Sequence, residues 1–148
     1  MTLRNVLLTA HILVALVTIG WLAAQSMLIP RAIRTGNAAA VRFSIAAAEK
    51  LGPTAITVFL LGVWLVVRQK DDYAEFRYTW VSASMTLFIL ALLNGSVLIA
   101  RAERAAAAKL EAGQDARAEA SRVAMLGGIN MLMLIAIVYL MVAKPGVA

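Results

Sequence analysis

The sequence predicts an all-α protein, a four-transmembrane-helix bundle of up-down-up-down topology with both termini outside. Three observations carry this. Of 148 residues, 62% are hydrophobic and 15% charged, with a mean hydropathy of +0.83, more apolar surface than a soluble domain of this length can hide. Four stretches, 6–29, 47–67, 79–100 and 123–143, reach or approach the roughly 20 apolar residues that cross a bilayer core of about 30 Å. The basic residues are also unevenly shared: Arg31, Arg34, Arg42, Lys50, Arg101, Arg104, Lys109, Arg117 and Arg122 lie in or beside the first and third connections, against Arg4, Arg68, Lys70, Arg77 and Lys144 on the other side. That asymmetry places the first and third connections in the cytoplasm. Little chain remains for a soluble domain, so 1–148 reads as one integral membrane domain, multi-pass in the cell (plasma) membrane.

The first span, 6–29, follows Arg4 and ends before Pro30. Leu22-Ala23-Ala24-Gln25 is loosely like a cleavage site, but the apolar core is longer than a secretory leader needs, so the segment reads as a retained span. The second span, 47–67, carries Glu49 and Lys50 at its head, followed at once by Gly52 and Pro53. A proline here removes the donor that would bond the carbonyl four residues earlier, that of Glu49, and glycine loosens the same turn. The outer loop "RQKDDYAEFRYT" is charge-balanced, with neither a glycine-rich phosphate cradle nor metal-ligand spacing. Span three is 79–100. The connection "RAERAAAAKLEAGQDARAEASR", 101–122, sets charges of both signs at helical spacing, which predicts a cytoplasmic helical hairpin turning near Gly113. Span four, 123–143, completes the bundle. Trp64, Tyr73, Tyr78, Trp80 and Tyr139 fall at the outer ends of the spans, where an aromatic belt belongs.

The net charge of +6 and pI near 10.3 would suit nucleic acid, but the basic loops lack aromatic interleaving or a recognition motif. Their reading is orientation and contact with anionic lipid. The absence of cysteine excludes disulfides, iron–sulfur clusters and thiolate metal sites.

At 1.5 Å per helical residue, the polar residues inside the spans sort into a layer in the inner leaflet: Gln25 in span one, Glu49 and Lys50 in span two, Asn94 in span three and Asn130 in span four. This is the candidate polar binding layer. A Glu49 turned toward Gln25, Asn94 and Asn130 beside a broken helix would make a cation or proton site of the transporter kind; a Glu49 at the bilayer surface, with Lys50 snorkelling, would only mark the start of span two. His11, the lone histidine, lies near the outer end of span one and is the candidate metal or haem ligand, with Met85, Met133 and Met141 as possible helpers. One imidazole falls short of the ligand set of most metal sites, so an interior histidine bonded to Thr9, Ser82 or Ser84 is the simpler reading, and no cofactor is expected. Small residues mark expected helix-packing faces: Gly20 and Ala24 in span one, Gly52 and Pro53 in span two, and Ala124, Gly127 and Gly128 in span four.

Three stretches, "TIGWLAAQSMLIPRAIRTGN", "EKLGPTAITVFLLGVWLV" and "SRVAMLGGINMLMLIAIVYLMVAKPG", resemble an actinobacterial family of small predicted membrane proteins, the domain-of-unknown-function family two-two-six-nine. The resemblance covers nearly the whole chain and implies four spans with no assigned reaction. The family is distantly similar to the copper-resistance D type membrane proteins, in which an early span carries a histidine followed by a Trp- and Gly-rich stretch. His11 and Gly20-Trp21 are the matching positions, and the further histidines of a copper role are missing. The small multidrug transporters also have four spans, but with an essential acid in the first, where this chain has none.

These readings converge on a membrane protein without a catalytic site of its own, acting as an accessory or self-associating subunit with membrane lipid, a second copy or a membrane-complex partner as its contacts and no nucleic acid. Two alternatives stand beside it: a transporter of protons or small cationic compounds using Glu49, and haem or copper binding through His11.

Overall fold

A computed structural model describes residues 3–68 and 78–145. The architecture is all-helical, with four long apolar helices. Helix α1 (Leu3–Arg34) and helix α2 (Ala38–Arg68) are joined by a turn at 35–37. Helix α3 (Thr79–Leu93) runs without interruption through a π-helical turn (Asn94–Ile99) into helix α4 (Ala100–Glu111), so that the third rod extends from Thr79 to Glu111. Helix α5 (Arg117–Ala143) returns. Both tight connections, at 35–37 and 112–116, lie at one end of the bundle, the hairpin end.

The helices overrun the apolar stretches because the sequence near the hairpin end remains helix-forming after it ceases to be hydrocarbon-like. Span two is expected to begin near Ala47; α2 begins at Ala38, just after Gly36, whose φ of 73° is the left-handed value that ends α1. Asn37 then caps α2, its Oδ1 accepting from the Ala40 N–H at 3.0 Å. Gly52 and Pro53 do not break α2. The helix passes through both, and Pro53 gives up one bond in a rod otherwise carried by its neighbours. The second turn closes at Gly113, φ 68°, with the Gln114 N–H returning to the Lys109 carbonyl at 2.8 Å.

Helix α1 packs between α2 and α5, and α5 also packs on α3, while α2 meets α3 at few places and closes on the third rod mainly through α4. The best-buried cluster lies at the hairpin end, where Ile29, Ile33, Val41, Ile99, Ala102, Ala106, Ala107, Ala116, Ala120 and Val123 come together. Alanines on α4 let the rods approach closely, as small residues do in membrane bundles. At the other end Trp80 is 8% exposed and belongs to the interior, not to the belt expected of it; Trp64 and Tyr139 are exposed, and Tyr73 lies outside the described residues. Two ion pairs brace the hairpin end, the exposed Arg42 with Glu111 (2.6 and 2.7 Å) and the partly buried Lys109 with Glu119 (2.7 Å).

Candidate functional site

The candidate polar layer divides into two groups in the structure. In the first, Gln25 of α1 donates from Nε2 to Glu103 Oε1 at 2.8 Å, and Ser44 Oγ of α2 donates to Glu103 Oε2 at 3.4 Å. Glu103 is 1% exposed, so three rods converge on a buried carboxylate. Among the described residues no Lys or Arg forms an ion pair with it. In the second group Asn94 Nδ2 donates to the Leu126 carbonyl at 2.9 Å and meets Asn130 Oδ1 at 3.3 Å, which ties the π turn to α5. Asn130 is 1% exposed and its Nδ2 has no partner.

Glu49 belongs to neither group. Its carboxylate is paired with the Arg104 guanidinium at 3.1 Å, with both side chains more than half exposed, and Lys50 is exposed beside it. Sequence reasoning passed over Glu103 because it reads as one charge among many in an alanine-rich hairpin. The signal was the helical face: Ile99, Ala102, Ala106, Ala107 and Leu110 recur at spacings of three and four, and Glu103 is the one charged residue on that stripe.

A cavity of about 210 Å³ opens beside Glu103. Its walls include Trp21 and Gln25 from α1, Glu49, Gly52 and Thr54 from α2, and Phe88, Ser96, Glu103 and Arg104 from the third rod. Thr18 and Thr54 hydroxyls approach to 3.4 Å across one wall. The cavity follows the seam between α2 and α3, which meet at few places. Farther from the hairpin end on the same seam is a second cavity of about 70 Å³, lined by His11, Val58, Phe59, Gly62, Trp80, Met85 and Met141 among others. Phe88 borders both, stacked on Phe59 with centroids 5.9 Å apart and planes at 16°.

His11 therefore shares a cavity with Met85 and Met141 but not with Met133. Its Nδ1 is buried and without a hydrogen-bond partner; Ser84 donates instead to the Trp80 carbonyl at 2.7 Å, and Thr9 is exposed. Among the described residues no group of three or more His, Asp or Glu is arranged to hold a metal ion.

Of the small residues, Gly127 is the close-approach position: a Cβ there would lie 2.9 Å from Ser26 Oγ and 3.3 Å from Ser26 Cα. A Cβ at Gly20, Gly52 or Gly128 would meet nothing within 4 Å. Ala24 and Ala124 are half-buried and Pro53 is exposed.

A family model described as a predicted integral membrane protein (DUF2269) matches residues 5–145. No curated protein and no solved structure matches the chain.

Proposed function

We propose, from the premise that the chain belongs to the DUF2269 family of predicted integral membrane proteins, that it is a non-catalytic subunit of the cell membrane, with both termini outside, whose work is to bind a small molecule in the cavity beside Glu103. The observation that carries this reading is the buried carboxylate itself. Three helices supply Gln25, Ser44 and Glu103 to one point, next to an opening lined by aromatic and hydroxyl groups. Burying an ionisable group without an ionic partner is costly, a buried titratable group beside a cleft is a candidate functional place, and a mostly apolar pocket with a few convergent polar groups is the usual form of a ligand site. The reading without catalysis is supported by the sequence, which offers no nucleophile, base and orienting acid in a recognisable constellation. Orientation is supported by the excess of basic residues at the hairpin end. The accessory role leaves a second copy or another membrane protein as partner.

The test uses the full chain in lipid nanodiscs, titrated with benzyltrimethylammonium and with its neutral carbon isostere neopentylbenzene while tryptophan fluorescence is followed. A saturable change that disappears in Trp21→Phe is expected for at least one probe. It should also disappear in Gly52→Leu, which adds a side chain to the cavity wall where a Cβ meets open space. A response that survives both substitutions would refute the cavity as a binding site.

A second reading, transport of a small solute, is favoured by one observation: the two cavities share a seam and are separated by Phe88. The acid available to such a path is Glu103, with Glu49 at its edge.

A further inference from the structure

We infer that the occupant of the larger cavity is a small monovalent organic cation with an apolar body, its charge set against the Glu103 carboxylate. This rests on the reading of that cavity as a binding site. The ionisable residues lining it are Glu49, Glu103 and Arg104. Glu49 and Arg104 neutralise one another at 3.1 Å, leaving Glu103 as the acid whose ionised form no described cation pairs.

Hydrogen-bond capacity points the same way. A carboxylate offers about four acceptor positions. Gln25 takes one on Oε1 and Ser44 one on Oε2, so each oxygen keeps capacity for a further partner. Both neutral donors fix the carboxylate in place without cancelling its charge. A buried charge is tolerated when paired, and a ligand cation supplies the missing partner.

The walls select the rest of the ligand. Trp21 and Phe88 border the cavity, and aromatic faces attract organic cations, quaternary ammonium above all. Val17, Leu22, Ala55, Ala91, Leu92 and Leu134 add an apolar surface beside the hydroxyls of Thr18, Thr54 and Ser96. A volume of about 210 Å³ has room for a small amine or ammonium ion. Because the cavity lies on the loosely packed α2–α3 seam, the cation could come from the aqueous phase or from the bilayer, and the chemistry at Glu103 is common to both.

The experiment compares benzyltrimethylammonium, neopentylbenzene and benzenesulfonate on the full-length protein in nanodiscs, with dodecyltrimethylammonium below its micellar concentration as the membrane-dissolved arm. The cation should bind about tenfold more tightly than its neutral isostere, through charge attraction to Glu103 and the aromatic faces rather than a hydrogen bond. Glu103→Gln should erase that ratio while leaving neopentylbenzene binding unchanged, which also shows that the variant is folded; Ser44→Ala serves as a milder second variant and should narrow it. Tighter binding of benzyltrimethylammonium assigns an aqueous source, and tighter binding of dodecyltrimethylammonium a bilayer source. Equal binding of the cation and its isostere, preference for benzenesulfonate, or a Glu103→Gln variant that keeps the cation preference would overturn the inference. If neopentylbenzene then still binds and Gly52→Leu removes it, the cavity stands as a site and only its charge selectivity fails.

Discussion

Gln25 of α1 and Glu103 of α4, 78 positions apart in sequence, are joined side chain to side chain at 2.8 Å in the interior of the bundle. The bond fixes the rotation of two rods about their axes at once, because either residue turned by one position would face lipid or solvent. Gln25→Leu removes the better-placed donor from a buried acid and should cost about 1–3 kcal/mol, read as a lowered Tm in thermal unfolding in mild detergent. Glu103→Gln should cost less, since the amide oxygen can still accept from Gln25 and the amide nitrogen can donate to the Ser44 hydroxyl. A Glu103→Gln variant less stable than Gln25→Leu would refute this account of the pair.

Gly127 and Gly128 are neighbours with opposite expectations. Gly127→Ala forces a methyl to within 2.9 Å of Ser26 Oγ and near its backbone, overpacking of a kind that costs about 1–3 kcal/mol. Gly128→Ala enters open space and should be neutral or slightly stabilising, because alanine is the better helix former. Ser26→Gly should recover part of the loss in Gly127→Ala. Equal Tm values for the two alanine variants would show that α1 and α5 are not held at this distance.

The exposed pair of Glu49 with Arg104 should contribute little. Glu49→Gln is expected to leave stability within about 1 kcal/mol of the wild type and to change binding of benzyltrimethylammonium far less than Glu103→Gln does. A larger effect from Glu49 in the same titration would transfer the central role to it.

Orientation can be read with single cysteines at Asn5 and Ala112, both exposed and at opposite ends of the bundle. In intact cells a membrane-impermeant maleimide should label Asn5→Cys, and Ala112→Cys only after permeabilisation. The reverse pattern would invert the topology.

Phe88→Ala removes the ring that borders both cavities and its stack on Phe59. If the seam is a transport path, benzyltrimethylammonium flux into proteoliposomes should rise above that of the wild type at equal protein density. Unchanged flux, with the variant still folded by circular dichroism, would count against transport through this seam.

Composition and the lengths of apolar runs were enough to read four spanning helices from the sequence, because a bilayer admits few alternatives for a chain this apolar. The ends of the helices were less legible. Nothing in "AAAVRFSIAAAEK" signals where hydrocarbon ends and helix continues, so α2 begins well before the expected Ala47. The candidate layer was legible in part: Gln25, Asn94 and Asn130 are buried, but depth alone gave no azimuth, and Glu49 and Glu103 differ in which way the helix turns them. Trp80 misled for the same reason, since an aromatic at a span end can face either lipid or core.

The π turn at Asn94–Ile99 gives the third rod one residue of slack. A π turn takes up an extra residue without advancing the helix by the usual 100° or so, so everything beyond it is a step behind the phase of an unbroken α-helix. Were the turn to straighten with the chain unchanged, Ala102 would come round to the azimuth that Glu103 now holds, and the acid would leave its partners. Deleting Gly95 has the opposite outcome: the rod becomes regular and shorter while Glu103 keeps its heading. The same deletion among Ala105–Ala108 finds no slack to absorb it and rotates the remainder of α4 against α5. The hairpin end is thus indexed by a ratchet with a single tooth, and it is set in the one rod that carries the buried carboxylate.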